Sequence, residues 1–166
     1  MNVRFQLSLI LTFLLFSACG EKTRPDKENQ LGQAAPSFTL KDLNNTPFSL
    51  SNFKGKVVLL RFWSTRCESC KVEMPKLETS YRTLLSSGLM VIAVNVEDPR
   101  ERVVEFVKEL GLTYPILMDD KKEVTKLYQV YGVPTSFIID REGIVRERIF
   151  GDLTEEAIEK MVKPLL

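Results

Sequence analysis

The chain is predicted to fold as one α/β domain, a mixed central β-sheet flanked by helices, and three observations predict it. Two nearly continuous apolar runs, Lys56–Trp63 and Leu89–Val96, have the composition of strands buried on both faces. Each is followed by a stretch with apolar residues at helical spacing. Near the C-terminus, Thr135–Asp140 and Ile144–Phe150 flank Arg141-Glu142-Gly143, the layout of an antiparallel hairpin. The order β-α-β-α-β-α-β-β-α therefore gives parallel crossover units closed by an antiparallel pair and a helix. Length and composition agree: 166 residues, 44% hydrophobic and 27% charged, suit one globular domain and not a disordered or multi-span membrane chain.

The N-terminus is assigned outside that domain. Arg4 supplies a short positive region, Leu7–Phe16 an apolar stretch, and Ser17-Ala18 small residues ahead of Cys19, the layout of a secretory signal. The run is well short of the ~20 apolar residues a spanning helix needs. Phe16-Ser17-Ala18-Cys19 resembles a bacterial lipobox, with Phe16 in place of the usual aliphatic residue. Residues 1–18 are thus expected to be a removed signal peptide and Cys19 to be acylated. Plain secretion with cleavage near Ala18 is the alternative; Cys19, at the end of the run and ahead of a polar stretch, favours the lipid. Residues 19–30 carry almost nothing apolar to bury and read as a flexible tether. The folded domain is expected over residues 31–166.

Within it, Ser37–Leu40 and Pro47–Leu50 read as short strands around the Asn44-Asn45 turn. After the first buried strand, Cys70–Leu85 places Met74, Leu77, Tyr81, Leu84 and Leu85 at helical spacing, and Pro75 is expected to kink it. Arg100–Leu110 repeats the spacing until Gly111 stops it. Tyr114–Met118 reads as a short strand and Lys122–Tyr131 as a helix. Asp152 or Thr154 caps a last helix running to about Val162.

Composition narrows the chemistry. There is no histidine, which removes Ser-His-Asp and Cys-His catalysis, histidine zinc sites and imidazole proton shuttles. Net charge is +1 with no basic block, so no nucleic-acid partner is expected. Of three cysteines, Cys19 is assigned to the anchor, leaving Cys67-Glu68-Ser69-Cys70 as an isolated C-x-x-C, either a redox pair or half of a metal site. Cys67 falls just past the carboxyl end of a central strand, where open α/β sheets build their sites. At a helix N-terminus it faces free backbone N–H groups and the positive end of the dipole, both of which stabilise a thiolate. Cys70 lies close enough to close a disulfide or resolve a mixed one, so Cys67 is the expected exposed attacker and Cys70 the buried resolver. An inert bridge across one helical turn would close too small a loop to add much stability.

Phe62-Trp63-Ser64-Thr65-Arg66-Cys67-Glu68-Ser69-Cys70, with Pro75 and the downstream Gly132-Val133-Pro134-Thr135, resembles the thioredoxin superfamily. More narrowly it is similar to the membrane-tethered, AhpC/TSA-redoxin-like TlpA/ResA group of thiol–disulfide oxidoreductases. The likeness runs from about Leu31 to Leu166 and includes Gly32-Gln33-Ala34-Ala35-Pro36-Ser37-Phe38, which simple thioredoxins lack. Three positions depart from the superfamily pattern. Arg66 replaces the aromatic residue before the first cysteine, Arg61 stands where thioredoxins carry a buried acid, and Glu68-Ser69 between the cysteines contains no proline.

The resemblance implies a thioredoxin-like fold with an N-terminal β-hairpin extension and catalysis by Cys67 and Cys70. It implies a role for Glu73 in tuning proton exchange at the dithiol. It also implies a substrate-binding wall of Trp63, Val133, Pro134 and Thr135, with a cis Val133–Pro134 bond and Val133 backbone groups paired to a substrate strand. Read from the residues alone, Glu73 is equally an ordinary solvated acid that Arg61 could pair with, Pro134 a strand-start proline, and Trp63 a core residue. No metal, and no cofactor beyond the Cys67–Cys70 disulfide, is implied. The implied partners are thiol-containing exported proteins such as apocytochrome c, a membrane electron donor of the CcdA/DsbD type, and a lipid membrane reached through Cys19. The implied location is extracytoplasmic. Glu68 beside the nucleophile disfavours the thiolate and so points to a reductant, not a strong oxidant. Two alternatives stand beside this reading. One is a peroxiredoxin-like antioxidant, whose site needs proline where Leu60 stands; the other is a redox-inactive thioredoxin-like binding lipoprotein. A c-type haem attachment site is excluded by Lys71, which stands where C-x-x-C-H needs histidine.

Overall fold

A computed structural model describes residues 30–166; the expected signal peptide, Cys19 and the expected tether as far as residue 29 lie outside the described residues. The elements run β1 (Thr39–Asp42), β2 (Pro47–Ser49), β3 (Val57–Trp63), α1 (Glu68–Leu84), β4 (Leu89–Asn95), α2 (Arg100–Glu109), β5 (Ile116–Met118), α3 (Glu123–Leu127), β6 (Thr135–Ile139), β7 (Val145–Phe150) and α4 (Glu155–Val162). The seven strands form one sheet in the order β2-β1-β5-β4-β3-β6-β7. β3 pairs with β4 in parallel and with β6 antiparallel, so the predicted mixed sheet is present and β3 lies inside it. Every residue of β3 is buried, Arg61 included, as the nearly continuous apolar run leads one to expect. The N-terminal hairpin adds β1 antiparallel to β5 at the far side.

Two cores follow from the alternation of strand side chains. Val57, Leu59 and Trp63 face the layer that holds Cys70, Met74 and Leu77 of α1, Val103 and Phe106 of α2 and Ile158 of α4. Val58, Leu60 and Phe62 face the opposite layer, with Val124 and Tyr128 at α3 and Phe38 from the leading segment. Each fully buried Leu or Phe contributes about 1.5–3 kcal/mol from water exclusion. Among the described residues no helix is long and apolar enough to cross a membrane.

Several boundaries differ from the sequence reading, each for a local reason. The first strand lies at Thr39–Asp42, not Ser37–Leu40, because the Asp42 carboxylate accepts the Asn44 and Thr46 N–H groups and turns the chain there. The expected Lys122–Tyr131 helix is only Glu123–Leu127, since Gln129 takes a left-handed backbone (φ 52°) and ends it. The short strand starts at Ile116, after Pro115. α1 begins two residues before Cys70 and contains Pro75. Of the two candidate caps for α4, Thr154 acts, its hydroxyl accepting the Ala157 N–H at 3.2 Å.

Glu78 of α1 joins the helix to the segment before β5: its carboxylate accepts the Thr113 N–H (2.7 Å) and the Thr113 hydroxyl and pairs with Arg82. Burial opposes its ionisation, but the Thr113 and Arg82 contacts outweigh that and hold the carboxyl below its ordinary range. A depressed folded-state value gives stability that is present above the unfolded value and lost as pH falls through the folded one. Glu78→Gln is therefore expected to cost about 1–2 kcal/mol at pH 7 in denaturant unfolding, with the gap to the parent closing below about pH 4.

Candidate active site

The site is built where β3 ends. Parallel pairing sets Trp63 beside Asn95, so the segments leaving β3 and β4 emerge side by side at the carboxyl end of the sheet. Ser64–Arg66 turns the chain, and Cys67, with an extended backbone (φ −91°, ψ 104°), becomes the N-cap of α1. Its sulfur accepts the Cys70 N–H at 3.2 Å, so an unsatisfied amide at the helix start is aimed at the attacking atom. Cys67 is half-buried and Cys70 fully buried, and the two are joined in a disulfide with Cα atoms 5.2 Å apart. The Ser69 hydroxyl lies 3.6 Å from the Cys67 sulfur.

Cys67 opens onto a cleft of about 490 Å³ lined by Arg66, Glu68, Glu97, Lys122 and Val133 among others. The far wall is the loop before β6. There the Val133–Pro134 bond is cis, and the Val133 N–H and C=O make no hydrogen bond within the described residues. The Gly151 N–H bonds to the Pro134 carbonyl at 2.9 Å and fixes the loop from β7. Glu97 and Lys122 form an ion pair across the cleft from Cys67, both with left-handed backbones.

Beneath the dithiol lies a charge in the core. Arg61 alternates with Leu59 and Trp63 along β3 and so faces the layer that contains Cys70. Its guanidinium pairs with Glu73, one turn beyond Cys70, and both side chains are buried. Arg61 also donates to the Ser136 hydroxyl (3.0 Å) and the Gly151 carbonyl (3.3 Å), while Glu73 accepts the Leu153 N–H at 2.8 Å. Burial pushes the Glu73 carboxyl above its ordinary range against the pull of Arg61 and the Leu153 N–H, and Asp152 adds to the rise. Burial likewise lowers Arg61, with Glu73 opposing.

Of the residues singled out from the sequence, Cys67 and Val133 line the cleft, Cys70 lies behind Cys67, and Pro134 shapes the far wall. Two placements differ from expectation. Trp63 is fully buried, its ring 5.0 Å from that of Phe106, so it is a core residue and no part of a substrate wall. Thr135 is also fully buried; its hydroxyl donates to the Gly132 carbonyl at 2.6 Å and holds the loop from inside. Glu73 is not a solvated acid and does not reach the cleft. Glu97, Asp98 and Lys122 are not evident from spacing; Asn95-Val96-Glu97-Asp98 following a strand parallel to β3 is a signal for the first two, whereas Lys122 reaches the cleft only through its pair with Glu97. Among the described residues no three acidic, cysteine or histidine side chains gather as a metal site.

Comparisons with known proteins agree with this geometry. The AhpC/TSA family profile matches residues 31–148. The thiol-disulfide oxidoreductase ResA of Geobacillus kaustophilus is 38% identical over 135 residues, covering 81% of this chain and 78% of its own. The ResA of Bacillus subtilis is 38% identical over 136 residues, covering 80% and 76%. Among solved structures, a thiol:disulfide interchange protein of the thioredoxin family from Chlorobium tepidum superposes with a TM-score of 0.73 at 28% identity, covering 80% of this chain and 94% of its own.

The buried pair makes a direct prediction. Arg61→Met leaves the Glu73 carboxylate without its counter-charge and is expected to cost about 3–5 kcal/mol in denaturant unfolding. Arg61→Met combined with Glu73→Met removes both charges and should recover at least half of that loss.

Proposed function

The chain belongs to the AhpC/TSA family and is a thiol–disulfide oxidoreductase; from that premise we propose that it works outside the cytoplasm as a reductant of exported proteins, held on a membrane by an acylated Cys19. The observation that carries the reading is the arrangement of the cysteines. The Cys67 sulfur receives the Cys70 N–H at the mouth of the cleft, and Cys70 is buried directly behind it.

In the reduced protein the Cys67 thiolate attacks one sulfur of a client disulfide. The client S–S bond breaks, a Cys67–client S–S bond forms, and the leaving client sulfur takes a proton. Cys70, deprotonated, then attacks the Cys67 sulfur and releases the second client thiol. Two electrons pass from the dithiol to the client, and the Cys67–Cys70 disulfide is the product. Free backbone groups at Val133 offer an extended client segment one N–H and one C=O beside Cys67. Glu73 is proposed to tune proton exchange at the dithiol as a positioning residue, through its pair with Arg61.

The direction of electron flow rests on charge. A strong oxidant needs an unusually stabilised attacking thiolate. Three cations around Cys67 are already engaged, Arg66 by Asp98 (3.4 Å), Lys71 by Glu109 (3.1 Å) and Lys122, which lines the same cleft, by Glu97, while Glu68 is the residue next to the nucleophile. With these charges paired, stabilisation of the thiolate falls to the helix start and the Ser69 hydroxyl, which favours a reducing couple. In an oxidising compartment such a reductant has to be recharged, which calls for a membrane electron donor of the CcdA/DsbD type. A disulfide in apocytochrome c, reduced to its two thiols, is one client that fits this reading.

Two experiments test it. In cells, a Cys70→Ser variant should accumulate reductant-sensitive mixed disulfides with exported proteins through Cys67, and these should vanish in the double serine variant; an absence of trapped clients contradicts the reading. Inhibition of the lipoprotein signal peptidase should build up precursor, whereas unaltered processing with release into the soluble fraction contradicts the Cys19 anchor.

A further inference from the structure

Among the described residues, four buried carboxylates lie outside the pair beneath the dithiol, and three have local structural partners. Glu78 holds Thr113, Asp119 caps the first turn of α3 through Thr125 and Val124, and Asp140 holds the β6–β7 turn. Asp98 differs, because its partners lead into Cys67. One oxygen accepts the Thr65 N–H at 2.6 Å and the Asn95 side-chain amide at 2.9 Å. The other accepts the Ser64 hydroxyl at 3.2 Å and stands 3.4 Å from Arg66 Nε. Asn95, fully buried at the end of β4, accepts the Asp98 N–H in return at 3.1 Å. All three residues between β3 and Cys67 are thereby tied to one carboxylate in the loop after β4. Burial opposes ionisation of Asp98, but the donors from Asn95, Thr65 and Ser64 outweigh it and keep the group charged at neutral pH.

We propose that Asp98 is a positioning residue for thiol exchange: it fixes Ser64–Arg66 so that the Cys67 sulfur faces the cleft from the α1 start, and it neutralises Arg66 so that this cation does not further stabilise the Cys67 thiolate. The inference rests on Cys67 being the attacking thiol. The other charges facing Cys67 are Glu68 on its own segment, Lys71 held by Glu109 of α2, and the Glu97–Lys122 pair across the cleft. Of these cations only Arg66 loses its partner when Asp98 is neutralised.

The test is the rate of Cys67 alkylation against pH in a Cys70→Ser background, together with exchange against a small disulfide. Asp98→Asn keeps the shape and removes the charge and one acceptor oxygen. It should move the alkylation midpoint down by about 0.5 pH unit or more. It should also slow exchange about tenfold at pH values above the midpoint, because the nucleophile is less well held. Asp98→Glu, which keeps the charge, should retain the parent midpoint. Arg66→Gln should raise the midpoint, since the Asp98 charge is then uncompensated, and adding Asp98→Asn to it should bring the midpoint back toward the parent value. Unmoved midpoints in Asp98→Asn and Arg66→Gln overturn the proposal even if exchange slows, because lost packing alone gives that pattern. If Asp98→Asn does not fold, Arg66→Gln decides by itself. Preferential alkylation of Cys70 in the reduced parent protein would overturn the assignment of the attacking thiol, and this inference with it.

Discussion

A guanidinium inside a strand buried on both faces has to be paired, and that constraint organises the structure around the dithiol. Arg61 cannot reach water from β3, so Glu73 comes inward from α1 to meet it, and the helix that carries Cys70 is clamped against the sheet at that turn. The same two side chains reach further: Arg61 to Ser136 on β6 and the Gly151 carbonyl, Glu73 to the Leu153 N–H before α4. Gly151 in turn holds the carbonyl of Pro134. One ion pair therefore links the strand under the nucleophile, the helix behind it and the loop opposite it. As an isolated energetic term such a pair is close to neutral against an apolar replacement. Its value here lies in the register it imposes on three elements that share no local sequence.

The reactive end is assembled on top of that frame from two loops. Parallel pairing of β3 with β4 brings Ser64–Arg66 beside Asn95–Asp98, and the carboxylate of Asp98 joins them. Cys67 then enters α1 as its cap, so its sulfur occupies the position a serine or aspartate oxygen takes in an ordinary N-cap. A helix start favours the thiolate, yet the surrounding charges cancel in pairs: Arg66 with Asp98, Lys71 with Glu109, Lys122 with Glu97. The site thus activates Cys67 through backbone geometry more than through net charge.

Much of this was legible in the sequence, and what was not had a physical cause. Nearly continuous apolar runs mark β3 and β4, Gly111 marks a helix end, and Asp152 or Thr154 marks a helix start that Thr154 provides, because strand burial and helix capping leave signals that are local in the chain. The C-x-x-C at a strand-to-helix junction placed both cysteines correctly relative to the sheet. The length of α3 was misread because the apolar spacing continues past Gln129, whose backbone leaves the helix. The family resemblance implies Trp63 and Thr135 as wall residues; of the two readings open for Trp63 the core one holds, against Phe106 of the covering helix, and Thr135 is held inside the loop. Asp98 lies 33 residues from Thr65, so only the pairing of β3 with β4 reveals their contact.

The central claim is that this balance of charges makes the Cys67–Cys70 couple a reductant. Equilibration of the purified protein with glutathione buffers, read as the fraction of dithiol, gives its reduction potential directly. The account predicts a value near or below about −220 mV, in the range of reducing members of the thioredoxin superfamily. A value close to about −120 mV, at the strongly oxidising end, would contradict it and reverse the direction of electron flow.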